Sequence, residues 1–121
     1  MAILREDVDG RFFTGFLVRS SSRFEWRVHA YCLMTNHFHL VVEAATERLS
    51  QGMQSLNWSF ARRFNDRYDR TGHVFEGRFR TRLIEGDAYL ERACTYVWNN
   101  PVAVGLAATP DDWPWSGRLD S

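Results

Sequence analysis

The sequence contains no lysine: all fifteen of its basic residues are arginine. Cysteine and proline are scarce, and no apolar run approaches the roughly 20 residues needed to cross a bilayer. Cys32 and Cys94 are far apart and have no metal-ligand spacing, so we expect reduced, buried thiols rather than a cysteine-based metal site. Charges stand in "MAILREDVDG" where a signal peptide would be apolar. We therefore expect a cytoplasmic protein with no membrane partner.

The chain has 121 residues, of which 45% are hydrophobic and 15% aromatic, and this composition predicts one globular domain spanning residues 1–121. Its net charge is zero but unevenly distributed. Residues 57–82 hold seven arginines against three acidic residues, so this segment carries +4 and the rest −4. Because the arginine fork grips phosphate bidentately, the cluster predicts a phosphate-bearing partner. The alternative is a solvated helix face.

Helix-like and strand-like patterns alternate in the N-terminal half. Asp7 is placed to cap a helix that runs to about Ser22, with apolar residues at helical spacing. A strand fits residues 26–34, a turn fits 35–36, and a second strand fits 37–43, which together predict a hairpin. Alternation along the second strand divides its side chains between two faces, with Phe38, Leu40 and Val42 on one and His37, His39, Val41 and Glu43 on the other.

Further along the chain, apolar residues recur at helical spacing and predict a second amphipathic helix over residues 48–67. Residues 68–77 read as a loop. The alternating stretch "RFRTRLIE", residues 78–85, predicts a third strand with its arginines on one face.

The last predicted helix is capped by Asp87 and ends at Asn100, because Pro101 cannot continue a helix and disfavours helical geometry in the residue before it. The tail "PDDWPWSG" is short and aromatic, so we expect it to pack back on the body. The resulting order, α-β-β-α-β-α, predicts an α+β fold related to the split βαβ motif but lacking its first strand.

Two histidines, His37 and His39, share one face of the second strand, about 6 to 7 Å apart at the backbone, and can bind one cation. Taken alone, the pattern also fits two structural imidazoles in a half-buried sheet. Tyr96 and Asn100 are four residues apart and share one face of the last helix. Tyr96 can equally pack by its ring, and Asn100 can serve to end the helix.

Four stretches occur in order along the chain: "HAYCLMTNHFHLVVE", "GHVFEGRFRTRLIE", "YLERACTYVWNNPVAVGL" and "PDDWPWS". Together with the arginine-rich helix between the first two, they cover nearly the whole sequence. The ordered set resembles the REP-associated tyrosine transposases, a branch of the single-tyrosine HUH transposases, also called insertion-sequence-200-like transposases.

The resemblance implies a ferredoxin-like HUH fold and a metal-dependent DNA strand transferase, or single-strand endonuclease. It implies that His37 and His39 bind a divalent ion, magnesium or manganese, with Phe38 in the core between them. It also implies that Tyr96 is the nucleophile and that Asn100 is a third ligand. Such enzymes nick and rejoin single-stranded DNA at hairpin, REP-like elements through a covalent 5'-phosphotyrosine, and they need no ATP. The candidate phosphate-binding residues are Arg62, Arg63, Arg67, Arg78, Arg80 and Arg82.

Relatives begin with a strand that precedes the region matched by "AILREDVDG", so we expect an N-terminally truncated domain that lacks the first, central strand. Two sheet edges would then be unpaired, which is costly and invites another chain. The alternatives are a wrongly assigned start codon, a decayed gene copy, or completion of the sheet by a swapped strand from a homodimer partner.

Two other functions compete with the transposase-like enzyme. One is a catalytically inactive remnant that only binds nucleic-acid hairpins, of DNA or RNA, since phosphates do not identify the sugar. The other is a metal hydrolase of small phosphates. It would need a carboxylate ligand near the histidines, and Glu43 is the obvious candidate on the same strand face.

Overall fold

The computed structural model describes residues 1–75 and 84–119. The α+β prediction is confirmed, because three helices pack on a three-stranded antiparallel sheet of order β2-β1-β3. This arrangement is consistent with a ferredoxin-like fold that lacks a strand among these residues. The elements are α1 (Asp7–Arg23), β1 (Arg27–Leu33), β2 (Phe38–Glu43), α2 (Thr46–Arg67), α3 (Asp87–Ala103), a short 3-10 helix (Pro110–Asp112) and β3 (Ser116–Gly117).

The predicted hairpin is present, and its two strands pair from Arg27 opposite Glu43 to Leu33 opposite Phe38. An irregularity between Val28 and Ala30 shifts the register by one residue, as a β-bulge does. At the turn, the N–H of Met34 donates to the carbonyl of His37 over 2.8 Å. The turn is also fixed from outside, because the N–H groups of Ile3 and Leu4 both donate to the carbonyl of Thr35.

The predicted alternation along β2 is confirmed, since the two faces of the sheet meet different helices. Phe38, Leu40 and Val42 pack against the larger core, which α1 and α2 cover. That core is rich in aromatic side chains and includes Phe13, Leu17, Trp26, Leu33, Leu56, Phe60 and Phe64.

The opposite face of the sheet holds a smaller core beneath α3. Its buried members are Ala30, Cys32, Met34, Val41, Cys94 and Val97. The expectation of free, buried cysteines is confirmed, because Cys32 and Cys94 are both unbridged and belong to this core. Burial raises the pKa of the Cys32 thiol to about 11.

The ends of two helices differ from the predictions. Glu6 and Gly86 occupy the N-cap positions, so Asp7 and Asp87 are the first helical residues rather than the caps. Near the N-terminus of α1 the acceptor is Asp9, whose carboxylate receives the N–H groups of Arg5 and Glu6, each over 3.0 Å. An acid three residues into the helix performs the capping that we assigned to its first acid.

The prediction that the last helix ends before Pro101 was wrong, because α3 includes this buried proline and runs on to Ala103. Two residues beyond its end, Gly105 adopts the left-handed conformation with φ +81°. The N–H of Gly105 donates to the carbonyl of Val102, and the N–H of Leu106 donates to that of Pro101. These two bonds form a Schellman motif, in which glycine accepts a backbone conformation unfavourable for other residues.

The tail packs back on the body as expected, and it also adds β3 to the outer edge of β1. Its Trp115 ring lies so close to α1 that a Cβ on Gly10 would stand 2.3 Å from it. The predicted strand over 78–85 falls largely in residues 76–83, outside the described part of the chain. Among the described residues the outer edge of β2 pairs with no strand, and none of the helices is long and apolar enough to span a membrane.

Candidate functional site

The two histidines converge at the start of β2. Their Nε2 atoms are 3.1 Å apart, and their rings meet edge to face with centroids 4.8 Å apart. His37 is exposed and His39 is half-buried beside α3. Because a strand presents alternate residues on the same face, both imidazoles lie on the side of the sheet that α3 covers. The two Nε2 atoms are therefore within hydrogen-bond distance of each other at the rim of the smaller core.

A neighbouring amide fixes the orientation of the first imidazole. The Nδ1 of His37 lies 2.7 Å from the Oδ1 of Asn36, and since that oxygen can only accept, Nδ1 carries the proton. The Nε2 of a neutral His37 then has a lone pair to offer. Burial, reinforced by His37, lowers the pKa of His39 and so favours the neutral imidazole that metals bind.

The last helix brings Tyr96 to the same place. Its ring centroid is 6.2 Å from that of His39, and the two rings are nearly perpendicular. The side chain is 66% exposed, so a substrate can reach its hydroxyl from solvent. One turn further along α3, the Nδ2 of Asn100 donates to the carbonyl of Tyr96 over 3.3 Å, which leaves the amide oxygen as a further acceptor or ligand.

The donor set fits a divalent cation. Two neighbouring ligands of an octahedral ion at about 2.1 Å stand about 3.0 Å apart, close to the 3.1 Å between the two Nε2 atoms. To bind in this way His39 must move its own proton from Nε2 to Nδ1. Within residues 1–75 and 84–119 there is no cluster of three histidine, cysteine or acidic side chains suited to a metal. A site here would therefore need an amide, water or phosphate oxygen to complete it.

Residues 2–100 match the protein family described as Transposase IS200 like. The chain belongs to this family. Comparison with curated proteins gave no match, and neither did comparison with solved structures. Membership supports a role in DNA transposition and recombination and implies nuclease or strand-transfer activity in general. Transposases of this family generally use a divalent metal. The matched segment contains the imidazole pair, Tyr96 and Asn100.

Among the described residues, the arginines predicted to grip phosphate do not surround the histidines. Arg62 and Arg63 are exposed on α2, which packs on the opposite face of the sheet. Each lies over an aromatic ring, Arg62 over Trp58 at 5.2 Å and Arg63 over Phe12 at 4.4 Å from the ring centroid. These cations and the imidazole pair therefore face different directions.

Arg67 is held by an ion pair instead of pointing freely into solvent. Its guanidinium donates to the carboxylate of Glu6, which joins the end of α2 to the start of α1. Tyr68 continues this link, donating its hydroxyl to Asp9 over 2.6 Å. The remaining predicted phosphate contacts lie outside the described residues: Arg78, Arg80 and Arg82.

Sequence reasoning missed two features of the site. Asn36 was interpreted only as a turn residue, although an amide next to a histidine pair is a recognisable partner for an imidazole. The pairing of Glu43, the carboxylate that a phosphate hydrolase would require, was also missed. Glu43 lies at the far end of β2, and its carboxylate is 3.1 Å from the Nε2 of His29 on β1. The structure thus gives this carboxylate a partner other than the imidazole pair.

Proposed function

We propose that this IS200-like transposase belongs to the REP-associated tyrosine branch and is a metal-dependent single-strand DNA transferase. It would nick and rejoin single-stranded DNA at hairpin elements through a covalent 5'-phosphotyrosine on Tyr96. The observation that supports this best is the 6.2 Å between the ring centroids of Tyr96 and His39, with the Nε2 of His37 a further 3.1 Å from that of His39. An exposed phenol and two neighbouring imidazoles at one rim are the groups such a reaction needs.

His37 and His39 would hold the divalent ion, magnesium or manganese, and the oxygen of Asn100 is the candidate third ligand. When bound, the ion supplies positive charge against a nonbridging oxygen of the scissile phosphate. Asn36 keeps the His37 ring turned so that its Nε2 faces His39.

In the proposed step the phenolic oxygen of Tyr96 attacks phosphorus and gives up its proton as the bond forms. The bond from phosphorus to the 3'-oxygen breaks, and that oxygen takes up a proton and leaves as a 3'-hydroxyl. The same step in reverse, with another 3'-hydroxyl, rejoins a strand and frees the tyrosine. Since a phosphodiester is exchanged for a phosphodiester, no ATP is consumed.

The arginines on α2 suggest how a hairpin would be divided between two surfaces. Arg62 and Arg63 lie on the far side of the sheet from Tyr96, so they would contact phosphates remote from the scissile one. Affinity through such contacts falls steeply with added salt, whereas the chemical step depends on the metal. Arg67 would first have to leave Glu6.

The test is covalent capture of a labelled single-stranded DNA hairpin with magnesium or manganese, followed by denaturing electrophoresis. Wild type should form an adduct, while Tyr96→Phe and His37→Ala should form none. Tyr89→Phe is the matched control, because Tyr89 is on the same helix and is 64% exposed. Adduct at the wild-type level in Tyr96→Phe would contradict the proposal, and salt-sensitive binding without adduct under either metal would favour the inactive hairpin-binding remnant.

A further inference from the structure

Among the described residues, few large side chains are fully buried between helix α3 and the sheet. The buried residues of α3 are Cys94, Val97 and Pro101, and the first two meet small residues of the sheet such as Ala30 and Cys32. Side chains of this size interlock weakly compared with the aromatic rings of the other core. Because α3 presents Tyr96, the contacts that fix the angle of this helix also set the position of the tyrosine.

The C-terminal tail forms hydrogen bonds both with α3 and with the sheet on which α3 packs. The indole N–H of Trp98, on α3, donates to the carbonyl of Gly117 over 2.8 Å. The indole N–H of Trp113 donates to the carbonyl of Leu33 over 2.9 Å, and the N–H of Leu33 donates to the carbonyl of Trp115 over 2.8 Å. The tail therefore bonds to both backbone groups of one β1 residue and to the helix of the tyrosine.

The bonded strand residue is close to the imidazoles along the chain. Leu33 lies opposite Phe38 in the hairpin, and Cys32 lies opposite His39. The next residue, Met34, closes the turn by donating to the carbonyl of His37. Hydrogen bonds thus connect the helix that carries Tyr96, through Trp98 and the tail, to β1, the strand that pairs with the strand of both histidines.

We infer that Trp98 and Trp113 are positioning residues, which hold the tail between α3 and β1 so that Tyr96 stays in register with the histidine pair. This inference rests on the proposed function for its catalytic consequence. The tail residues lie beyond residues 2–100, the part that matches the family. A displacement of about 1 Å at a reacting group can cost about a hundredfold in rate, so the angle of this helix matters.

The variants are Trp98→Phe and Trp113→Phe, which keep an aromatic ring and remove the donor. The matched control is Trp26→Phe, because the indole of Trp26 also donates to a backbone carbonyl, that of Arg48 over 3.0 Å, but lies in the larger core. Trp98→Phe and Trp113→Phe both remove a hydrogen bond that involves the tail, so they are called the tail variants. If Trp98 and Trp113 only add general stability, all three substitutions should have the same effect on the site.

The first readout is the NMR cross-peak between the ring protons of His39 and Tyr96, with the Phe13 to Phe38 cross-peak of the other core as internal reference. We expect the first to weaken at least twofold in both tail variants and to persist in Trp26→Phe. Unchanged cross-peaks in both tail variants, or equal weakening in Trp26→Phe, would overturn the inference. This readout needs no activity, so it decides the inference even where the wild-type protein forms no DNA adduct and the proposed function fails.

The second readout is the adduct assay under saturating hairpin DNA. The tail variants should form adduct about ten to a hundredfold more slowly than wild type, with the Kd for DNA changed less than about twofold. A rise in Kd with an unchanged saturated rate would assign the tail to substrate binding and overturn the positioning role.

Discussion

The two faces of the sheet are built differently. The face under α1 and α2 buries a large aromatic core, in which Phe60 lies within 6.0 Å of three other aromatic ring centroids. In the part of the chain that the structure describes, the face under α3 buries a core of six mostly small residues, and its rim presents the histidine pair and Tyr96. Burial of apolar area is the main source of stability, so the first face stabilises the fold while the second leaves polar groups accessible. The predictions below test this contrast, beginning with the largest expected effect.

The largest expected effect is the loss of free energy of unfolding when a side chain is truncated, and this loss should differ most between the two cores. Phe13→Ala removes a fully buried ring from the larger core and should lower the free energy of unfolding by about 3 to 5 kcal/mol. Val97→Ala in the smaller core removes two methyl groups and should cost about 2 kcal/mol. Urea unfolding measures both values. Equal losses would contradict the contrast between the faces.

The buried carboxylate beside the larger core should have the next largest effect. Asp9 is 1% exposed and accepts hydrogen bonds from two backbone N–H groups and from the Tyr68 hydroxyl. Asp9→Ala leaves these donors without their acceptor and should cost about 2 to 3 kcal/mol. Arg67→Ala, which breaks an exposed ion pair nearby, should cost less than Asp9→Ala does. A larger loss for Arg67→Ala than for Asp9→Ala in thermal or urea unfolding would refute this ranking.

Substitution of two helical glycines by alanine should change the free energy of unfolding in opposite directions. A Cβ on Gly52 would stand 2.3 Å from the ring of Trp26 in the larger core, so Gly52→Ala should destabilise by about 1 to 3 kcal/mol. Gly15 has open space around it, so Gly15→Ala should stabilise by about 0.5 to 1 kcal/mol through better helix propensity. Urea midpoints of the two variants report the signs. A stabilised Gly52→Ala protein would show that the larger core is less tightly packed than described.

The smallest effect concerns pH on the face of the site. Burial and then His37 lower the folded-state pKa of His39 below its ordinary value of 6.5. Its contribution to stability is therefore complete above pH 6.5 and is lost as the pH falls through the lowered pKa. Without metal, wild type should lose slightly more stability between pH 7.5 and pH 5 than His39→Gln does. The comparison uses urea unfolding at both pH values, and a steeper loss in the variant would reverse the assigned direction.

The sequence was sufficient to predict the elements whose periodicity is set by burial. The alternation of β2 and the helical spacing of α2 each reflect a single apolar face, so the hairpin, both sheet faces and the helix end at Arg67 agree with the structure. Helix ends that are set by individual hydrogen bonds were harder to predict from the sequence. Pro101 indicated a helix end, yet a Schellman motif at Gly105 determines where α3 stops.

Contacts between remote segments were the least predictable. The stretch "WPWSG" has no pattern that predicts an edge strand at Ser116 and Gly117. Their pairing with β1, which is far away in the sequence, depends on tertiary packing. In the same way, the local arginine cluster gave no sign that Arg67 would pair with Glu6 at the start of the chain. The proximity of Tyr96 to His39, expected only through the family resemblance, also joins two segments far apart in sequence.

The most direct test of the account is to identify the residue that becomes attached to DNA. Wild-type protein is incubated with a single-stranded hairpin and manganese, digested with protease and nuclease, and the modified peptide is sequenced by mass spectrometry. We predict a 5'-nucleotide on the phenolic oxygen of Tyr96. A nucleotide on Tyr89 instead would contradict Tyr96 as the nucleophile. A nucleotide on Tyr31 or Tyr68 would also contradict the assignment of the reaction to the face of the sheet that α3 covers.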